Sequence, residues 1–470
     1  MNKIAILIGL CLLCVPALAQ RIDIAPVPKD ILYSHHNDDF TVCVRTPGGE
    51  WQDLYEYKVM VDLDRPQEAS MVQFDFEGSV EMRVKVNNGT VNDVVIRPLH
   101  QEIEHRREGN LIWFTLDSPS KLSLEINDDR LHNLHIFAQP LQTEIPDPDD
   151  PDVIWFAAGY HQPEAEGEAN GEDDPAYTIP SGKTVYLAPG AVVNATFICR
   201  EAENVRFLGR GIVLEPNRGF ELNRCKNIEI DGITVINPTH YTVYGGQVEG
   251  LKIRNLKSFS CIGWSDGIDL MSCSDVEIDD IFMRNSDDCI AIYGHRWDFY
   301  GDARNYRITN AVLWADVAHP INIGLHGDIH AKNTIENLRF DNIDILEHDE
   351  DDRNYQGCIA FSVSDQNLVR DVVFENIRIE RIQEGQLLNL RVLFNEKYSH
   401  GPGRGIRDVT FRNIYYLDRY ENPGIIEGYS EEYDIEGVTF ENIVIDGKRA
   451  ETLEDLHLRV GPYARKITVK

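Results

Sequence analysis

Ser265-Asp266-Gly267-Ile268-Asp269 and Ser286-Asp287-Asp288-Cys289 set two aspartate clusters 21 residues apart in a chain that repeats about every 23 residues. In a stacked solenoid, a residue one turn later lies above its predecessor, and neighbouring parallel strands are about 4.8 Å apart. The spacing predicts Asp266 and Asp287 as stacked neighbours with Asp288 beside them. Carboxyl groups held this close suit glycosidic bond cleavage. One group protonates the leaving oxygen, and another activates water or attacks the sugar. Crowding and partial burial raise one pKa and leave another low, which divides acid from base. Adjacent aspartates point to opposite faces of an ideal strand, so Asp287 and Asp288 share a groove only at a bend or strand end. The plain alternative is turn aspartates or calcium ligands. Asp279-Asp280 and Asp349-Glu350-Asp351-Asp352 are read as ordinary acidic turns.

The elements that must position these groups are strands. The repeat kernel alternates apolar residues around Asn or Asp: Asn227-IEIDGITVI, Leu251-KIRNLKSF, Val276-EIDDIFM, Tyr306-RITNAVLW, Leu338-RFDNIDIL, Val372-VFENIRI, Val409-TFRNIYYL and Val438-TFENIVI, with a weaker copy at Val205. Successive copies start 23, 23, 25, 30, 32, 34, 37 and 29 residues apart; the minimum is the rung and the excess is loop. Short alternating runs are strands, and a repeat this small must stack to bury its apolar face. Asp231, Asn255, Asp280, Asn310, Asn342, Asn376, Asn413 and Asn442 are expected to form a side-chain ladder, since short polar residues tolerate left-handed backbone. The fold class is all-β: a right-handed parallel β-helix over residues 151–470, preceded by an antiparallel β-sandwich over 20–150. Sandwich strands are expected at Phe40-TVCVRT, Lys58-VMVDLD, Met82-RVKVNN, Leu111-IWFTLD, Leu122-SLEIN and Leu134-HIFAQ, with the acidic Pro146-DPDDPD stretch as the boundary.

Residues 1–19 read as a signal peptide: Lys3, an apolar run from Ile4 to Val15, and a cleavage site after Ala19. That implies a secreted or periplasmic protein. Cys14 leaves a lipid anchor open, although Leu13 fits a lipobox poorly. Seven cysteines follow the signal, an odd number with no CxxC pair, so neither a disulfide framework nor a zinc site is expected. Residues 163–175, rich in Glu, Gly and Asp, read as a mobile acidic loop. A net charge of −33 disfavours nucleic acid as a partner and mildly disfavours a densely anionic substrate. No membrane-spanning segment, metal site or cofactor motif is read.

SDGIDLMSCSDVEIDDIFMRNSDDCIAIYG resembles the polygalacturonase family, glycoside hydrolase family 28, whose pattern is NTDGID, then GDDCIAIKSG, then GHG, then RIK. The likeness spans roughly residues 180–450. It implies a pectin-lyase-like β-helix that inverts the anomeric centre. Asp287 would be the general acid, Asp266 and Asp288 would hold the nucleophilic water as base, and His319 (in Ala318-His319-Pro320-Ile321-Asn322-Ile323-Gly324) would tune the acid. Where RIK would grip a uronate, the chain reads Cys358-Ile359-Ala360-Phe361-Ser362-Val363, so Arg296 or Arg353 would have to substitute. The architecture, and Val312-LWADVAHPINIG, resemble family 49, the dextranases and isopullulanases, which cut neutral α-glucans. Carboxylates about 5 Å apart ordinarily predict retention; the resemblance implies inversion, and inversion is the expectation adopted.

Sugar faces stack on aromatic rings, and Trp264, Tyr293 and Trp297 lie in or beside the catalytic rungs, with His295, Asn322 and His326 placed for hydroxyls. The expected partner is a polysaccharide or oligosaccharide. The competing classes are a polysaccharide lyase, disfavoured because no Lys or Arg sits inside the aspartate motifs, and a non-catalytic carbohydrate-binding β-helix protein, which would not need both motifs in register.

Overall fold

The computed structural model describes residues 20–163, 174–418 and 422–470. The signal segment and most of the acidic 163–175 loop lie outside the described residues. Strands alternate with turns throughout. The first body is a sandwich. One sheet runs Arg21–Asp23, Gln67–Glu77, Asp129–Pro140, Ser120–Ile126, Val94–Arg97, with Tyr57–Val61 paired to Gln67–Glu77. The other runs Gln52–Asp53, Phe40–Arg45, Val80–Val86, Leu111–Leu116, His105–Glu108. Val42, Val44, Met82, Val84, Ile112 and Phe114 meet Val72, Phe74, Leu122, Leu124 and Ile136 between them. Pairing is antiparallel except between Gln67–Glu77 and Asp129–Pro140, which run parallel. Alternation fails in the middle of Gln67–Glu77 for a physical reason: Ala69 and Met71, on its other face, are buried against the solenoid.

From Val153 onward the chain climbs as a right-handed parallel β-helix. A 19-stranded sheet wraps two of its sides, and an 11-stranded sheet forms the third. The kernel residue turns the corner between the first two. Asn255, Asp280, Asn310, Asn342, Asn376, Asn413 and Asn442 hold φ between 49° and 57°, and Asn442 donates to Asn413 (2.8 Å) and Asn413 to Asn376 (3.0 Å). The expected ladder forms only in stretches: Asn342 donates to Asn310, but Asn376 donates to Asp341, Asn310 to Asp279 and Asn255 to Gln139, and one member does not take the corner. Asp231 pairs with Arg254, and Gly232 (φ 88°) takes the corner in that rung. A second ladder, through Asn204, Asn227, Asp275, Asn305 and Asn337, was not foreseen.

Inside, side chains stack by type. Ile230, Ile253, Ile278, Ile308, Phe340, Phe374, Phe411 and Phe440 occupy one register column. The four phenylalanines stack within 10° of parallel at 4.4, 5.2 and 5.3 Å. Cysteines 43, 199, 225, 261, 273, 289 and 358 are free, and all but Cys261 are buried.

The sandwich lies along the flank of the solenoid. Tyr57, Val59, Val61, Met71 and Phe137 pack on Val192, Ile212, Ile236, Phe259, Phe282, Trp314 and Leu346. Buried ion pairs stitch the same seam. Arg97 meets Glu380 (2.6 Å), Glu125 (2.9 Å) and Glu347 (3.4 Å), and Arg284 meets Asp316, Asn133 and His135.

Candidate active site

The 11-stranded sheet sets the register of the site. Ile268, Ile290, Ile321 and Ile359 are paired in consecutive rungs. Just before each strand, Gly267 N–H donates to the Asp288 carbonyl (2.9 Å) and Cys289 N–H to the His319 carbonyl (2.8 Å). The stacked column is thus Asp266, Asp288, His319. This corrects the sequence expectation: Asp287 is not above Asp266 but one position earlier. The preceding strand ends at Ser286, so Asp287 and Asp288 occupy the turn before Ile290–Tyr293; beside that end the next rung carries a bulge, since Asn285 pairs with Ala315 and Ser286 with Val317, leaving Asp316 as the extra residue. Oxygens of Asp266, Asp287 and Asp288 lie within 4.8 Å of one another.

Each carboxyl has a different setting. Asp287 is half-buried and is pushed up to about 6, by burial first and then by the Asp288 charge. Backbone N–H groups of Trp264 (2.9 Å) and Asp288 (3.1 Å) oppose that shift only in part. Trp264 presents its N–H from left-handed backbone, φ 68°, the kind of strain that gathers at working sites. Asp288 is buried and accepts from His319 N–H (3.1 Å) and Nδ1 (2.6 Å) on one oxygen, and from Asn322 Nδ2 (2.7 Å) on the other. His319 Nε2 faces the Tyr355 carbonyl at 2.6 Å, so both ring nitrogens meet acceptors. Burial works against a charged imidazole, but the Asp288 carboxylate outweighs it and lifts His319 to about 9. Asp266 is buried and held well above the usual carboxyl range by burial and by Asp269, Asp287 and Asp288. It is in hydrogen-bond contact with Asp269, which Arg296 meets at 3.3 Å.

Trp264 is 65% exposed beside Asp287. Trp297 is half open and stacks on Tyr244 at 5.3 Å, and the Arg296 guanidinium lies over the Trp297 ring at 4.3 Å. His295 packs on Tyr300, His326 on Tyr293. Burial of His326, with Arg296 and His400 nearby, keeps its ring neutral. Two expected sugar contacts are corrected. Tyr293 is buried under Arg296, and Asn322 is buried with its amide nitrogen committed to Asp288 and the Tyr355 hydroxyl. Both support the site from beneath. Arg353 is exposed in the loop that carries Tyr355.

That loop held residues the sequence did not mark. Asp349-Glu350-Asp351-Asp352 is no mere solvated turn: Glu350 is buried, and burial pushes it up to about 7 against the pull of His319. Asp269 was visible in SDGID but had no assigned part. Tyr241, whose ring Arg296 approaches at 5.7 Å, lies two rungs earlier in a segment without a motif.

Residues 294–302 fold back over earlier rungs. Phe299 is buried on Gly246, where an added Cβ would lie 2.3 Å from its ring, and Arg224 binds Asp298 at 2.8 Å. Met271, Ala291, Tyr293, Phe299, Leu325 and Tyr355 form a small outer core there.

Comparison with known proteins gives concordant likenesses. Dex49A from Penicillium minioluteum superposes with a TM-score of 0.62 at 14% identity, covering 93% of this chain and 94% of that one. A family 28 exopolygalacturonase from Yersinia enterocolitica gives 0.52 at 11% identity, covering 88% and 98%. These likenesses speak to the fold. An exopolygalacturonase (clone GBGE184) of Arabidopsis thaliana is 22% identical over 204 residues, 42% of this chain and 44% of that protein. A putative galacturan 1,4-alpha-galacturonidase C of Aspergillus niger is 22% identical over 206 residues, 40% and 47%. The alignments thus span less than half the length of these curated relatives. The family model described as Glycosyl hydrolases family 28 matches residues 166–460, well over half of the sequence, and the chain belongs to that family.

Proposed function

We propose that this protein is a secreted glycoside hydrolase that cleaves α-glycosidic bonds by inversion, with Asp287 as the general acid. The observation that carries the reading is the division of labour within one carboxyl cluster. Asp287, the half-buried member, is pushed up to about 6 and so can hold a proton for the leaving oxygen. Donors face both oxygens of Asp288, which suits a carboxylate that deprotonates water. Asp266 stacks on Asp288 with its carboxyl oxygen close to those of Asp287 and Asp288, and it shares with Asp288 the holding of that water. His319 is fully buried and acts through Asp288, as a positioning residue. Trp264, open and bonded through its N–H to the acid, offers a face to the leaving sugar, and Trp297, half open, offers a second ring. The 294–302 segment covers the rungs before the site, which favours action at a chain end.

Arg296 favours a second reading for the sugar. The motif that would grip a uronate is missing, yet this guanidinium lies in the site, with Asp269 as its ion partner among the described residues. The likeness to the Arabidopsis thaliana exopolygalacturonase supports this reading, while the resemblance of the architecture to the dextranase family favours a neutral glucan.

Purified protein is incubated with dextran, pullulan, polygalacturonate and rhamnogalacturonan, and the first-formed anomer is followed by proton NMR. The expected result is product of inverted configuration, with turnover reduced ~10²–10⁴-fold in Asp287→Asn, the usual worth of a general acid. Retained configuration, or unsaturated uronate absorbing in the ultraviolet, overturns the assignment.

A further inference from the structure

One end of the apolar seam between sandwich and helix reaches the catalytic rungs. Strands Tyr57–Val61 and Gln67–Glu77 form a hairpin in which Val61 pairs with Gln67, leaving residues 62–66 as its tip. The tip reaches the catalytic turn. Leu63 N–H donates to Ser286 Oγ (3.0 Å), one residue before Asp287, and Asp62 N–H donates to Asp316 Oδ2 (3.1 Å). Ser286 and Asp316 are almost fully buried, and Asp316 also holds Arg284 at 2.9 and 3.0 Å. The Leu63 side chain lies beside Gly263, next to Trp264. On its other flank, Arg65 binds Gln383 and Asp62, while Asp62 and Asp64 bear electrostatically on Asp349 and Asp351 in the loop that carries Glu350 and Tyr355.

We propose that the hairpin tip Asp62–Arg65 is a positioning element of the catalytic centre, fixing the turn that carries Asp287 and Asp288 against the bulge at Asp316. Where the strand ends at Ser286, its ladder to the next rung slips around the unpaired Asp316, so the turn that follows needs outside partners. Two backbone N–H groups of the tip, themselves held by a paired hairpin, meet Ser286 at the start of that turn and Asp316 at the bulge in the rung stacked on it. The sandwich is then part of the catalytic unit rather than an appended domain. The inference rests on the reading of Asp287 as the acid, and the test separates the two.

Residues 62–66 are replaced by Asn-Gly, a two-residue turn that preserves hairpin register. Ser286→Ala is made in parallel, and Asp287→Asn serves as control. Amide hydrogen exchange of full-length protein is followed over residues 282–293, and turnover of trigalacturonate and isomaltotriose is measured, whichever is cut. Expected in both variants are exchange at least tenfold faster at 286–290 and unchanged elsewhere in the helix, and kcat lowered at least tenfold with KM within about twofold. Unchanged exchange at 286–290 overturns the proposal, whatever the activity. A raised KM with unchanged kcat also overturns it, making the tip a substrate wall. Undiminished turnover in Asp287→Asn would sink the acid assignment alone, and exchange would still judge the tip.

Discussion

At Asp287, burial and a neighbouring carboxylate set an acid near neutrality, and the sign of the resulting pH dependence follows. The protonated form is the working form, so kcat/KM should fall as pH rises through about 6, read from a pH–rate profile of the free enzyme. His319 predicts an opposite kind of observable. Its pKa is raised above the unfolded value, so its contribution to stability is complete below the ordinary imidazole pKa and is lost as pH rises through about 9. Denaturation midpoints between pH 6 and 10 should decline in the wild type, and less so in His319→Gln. Asp266, Asp287, Asp288 and His319 were all legible in the sequence, because motif and spacing mark them. Their order in space was not. Ile268 pairs with Ile290, 22 residues on, so this rung is one residue longer than the spacing from Asp266 to Asp287, and one residue of turn length leaves no pattern in residue types. Glu350 and Tyr355 were illegible for another reason: they arrive from a loop one rung beyond His319, where nothing local distinguishes a buried acid from a solvated one.

At the scale of the element, the kernel Asn and its apolar neighbours do separate jobs. The amide turns a corner at positive φ, and the inward Phe or Ile fills the rung. Phe374 lies between Phe340 and Phe411 and is fully buried. Phe374→Ala should cost ~3–5 kcal/mol in an unfolding titration, the usual range for removing a buried aromatic ring. Strand positions were readable because alternation is strict where one face is buried. Trp297 was read as a sugar-stacking ring. Phe299, two residues on, is a plug, since Gly246 leaves the hole it fills, and the fit of a ring to a missing side chain two rungs away cannot be seen in either segment alone.

At the scale of the whole molecule, the seam between sandwich and helix is ionic as well as apolar. Arg97 is buried among Glu125, Glu347 and Glu380, whose charges outweigh burial and hold the guanidinium charged. Arg97→Met would strand those carboxylates and should lower stability by ~3–5 kcal/mol, measured by chemical denaturation. The sandwich strands and the helix rungs could each be read from sequence; their docking could not. Arg284, Lys257 and Arg97 are buried cationic side chains that hydrogen-bond Asn133, Gln139 and Glu380, each more than 100 positions away. The docking also bears on biosynthesis. The sandwich is translated before any rung and later touches rungs from Val192 to Leu346 in succession. As the chain emerges, each new rung meets both its predecessor and a wall already standing, so the nascent sandwich would act as a mould on which the first half of the solenoid is cast.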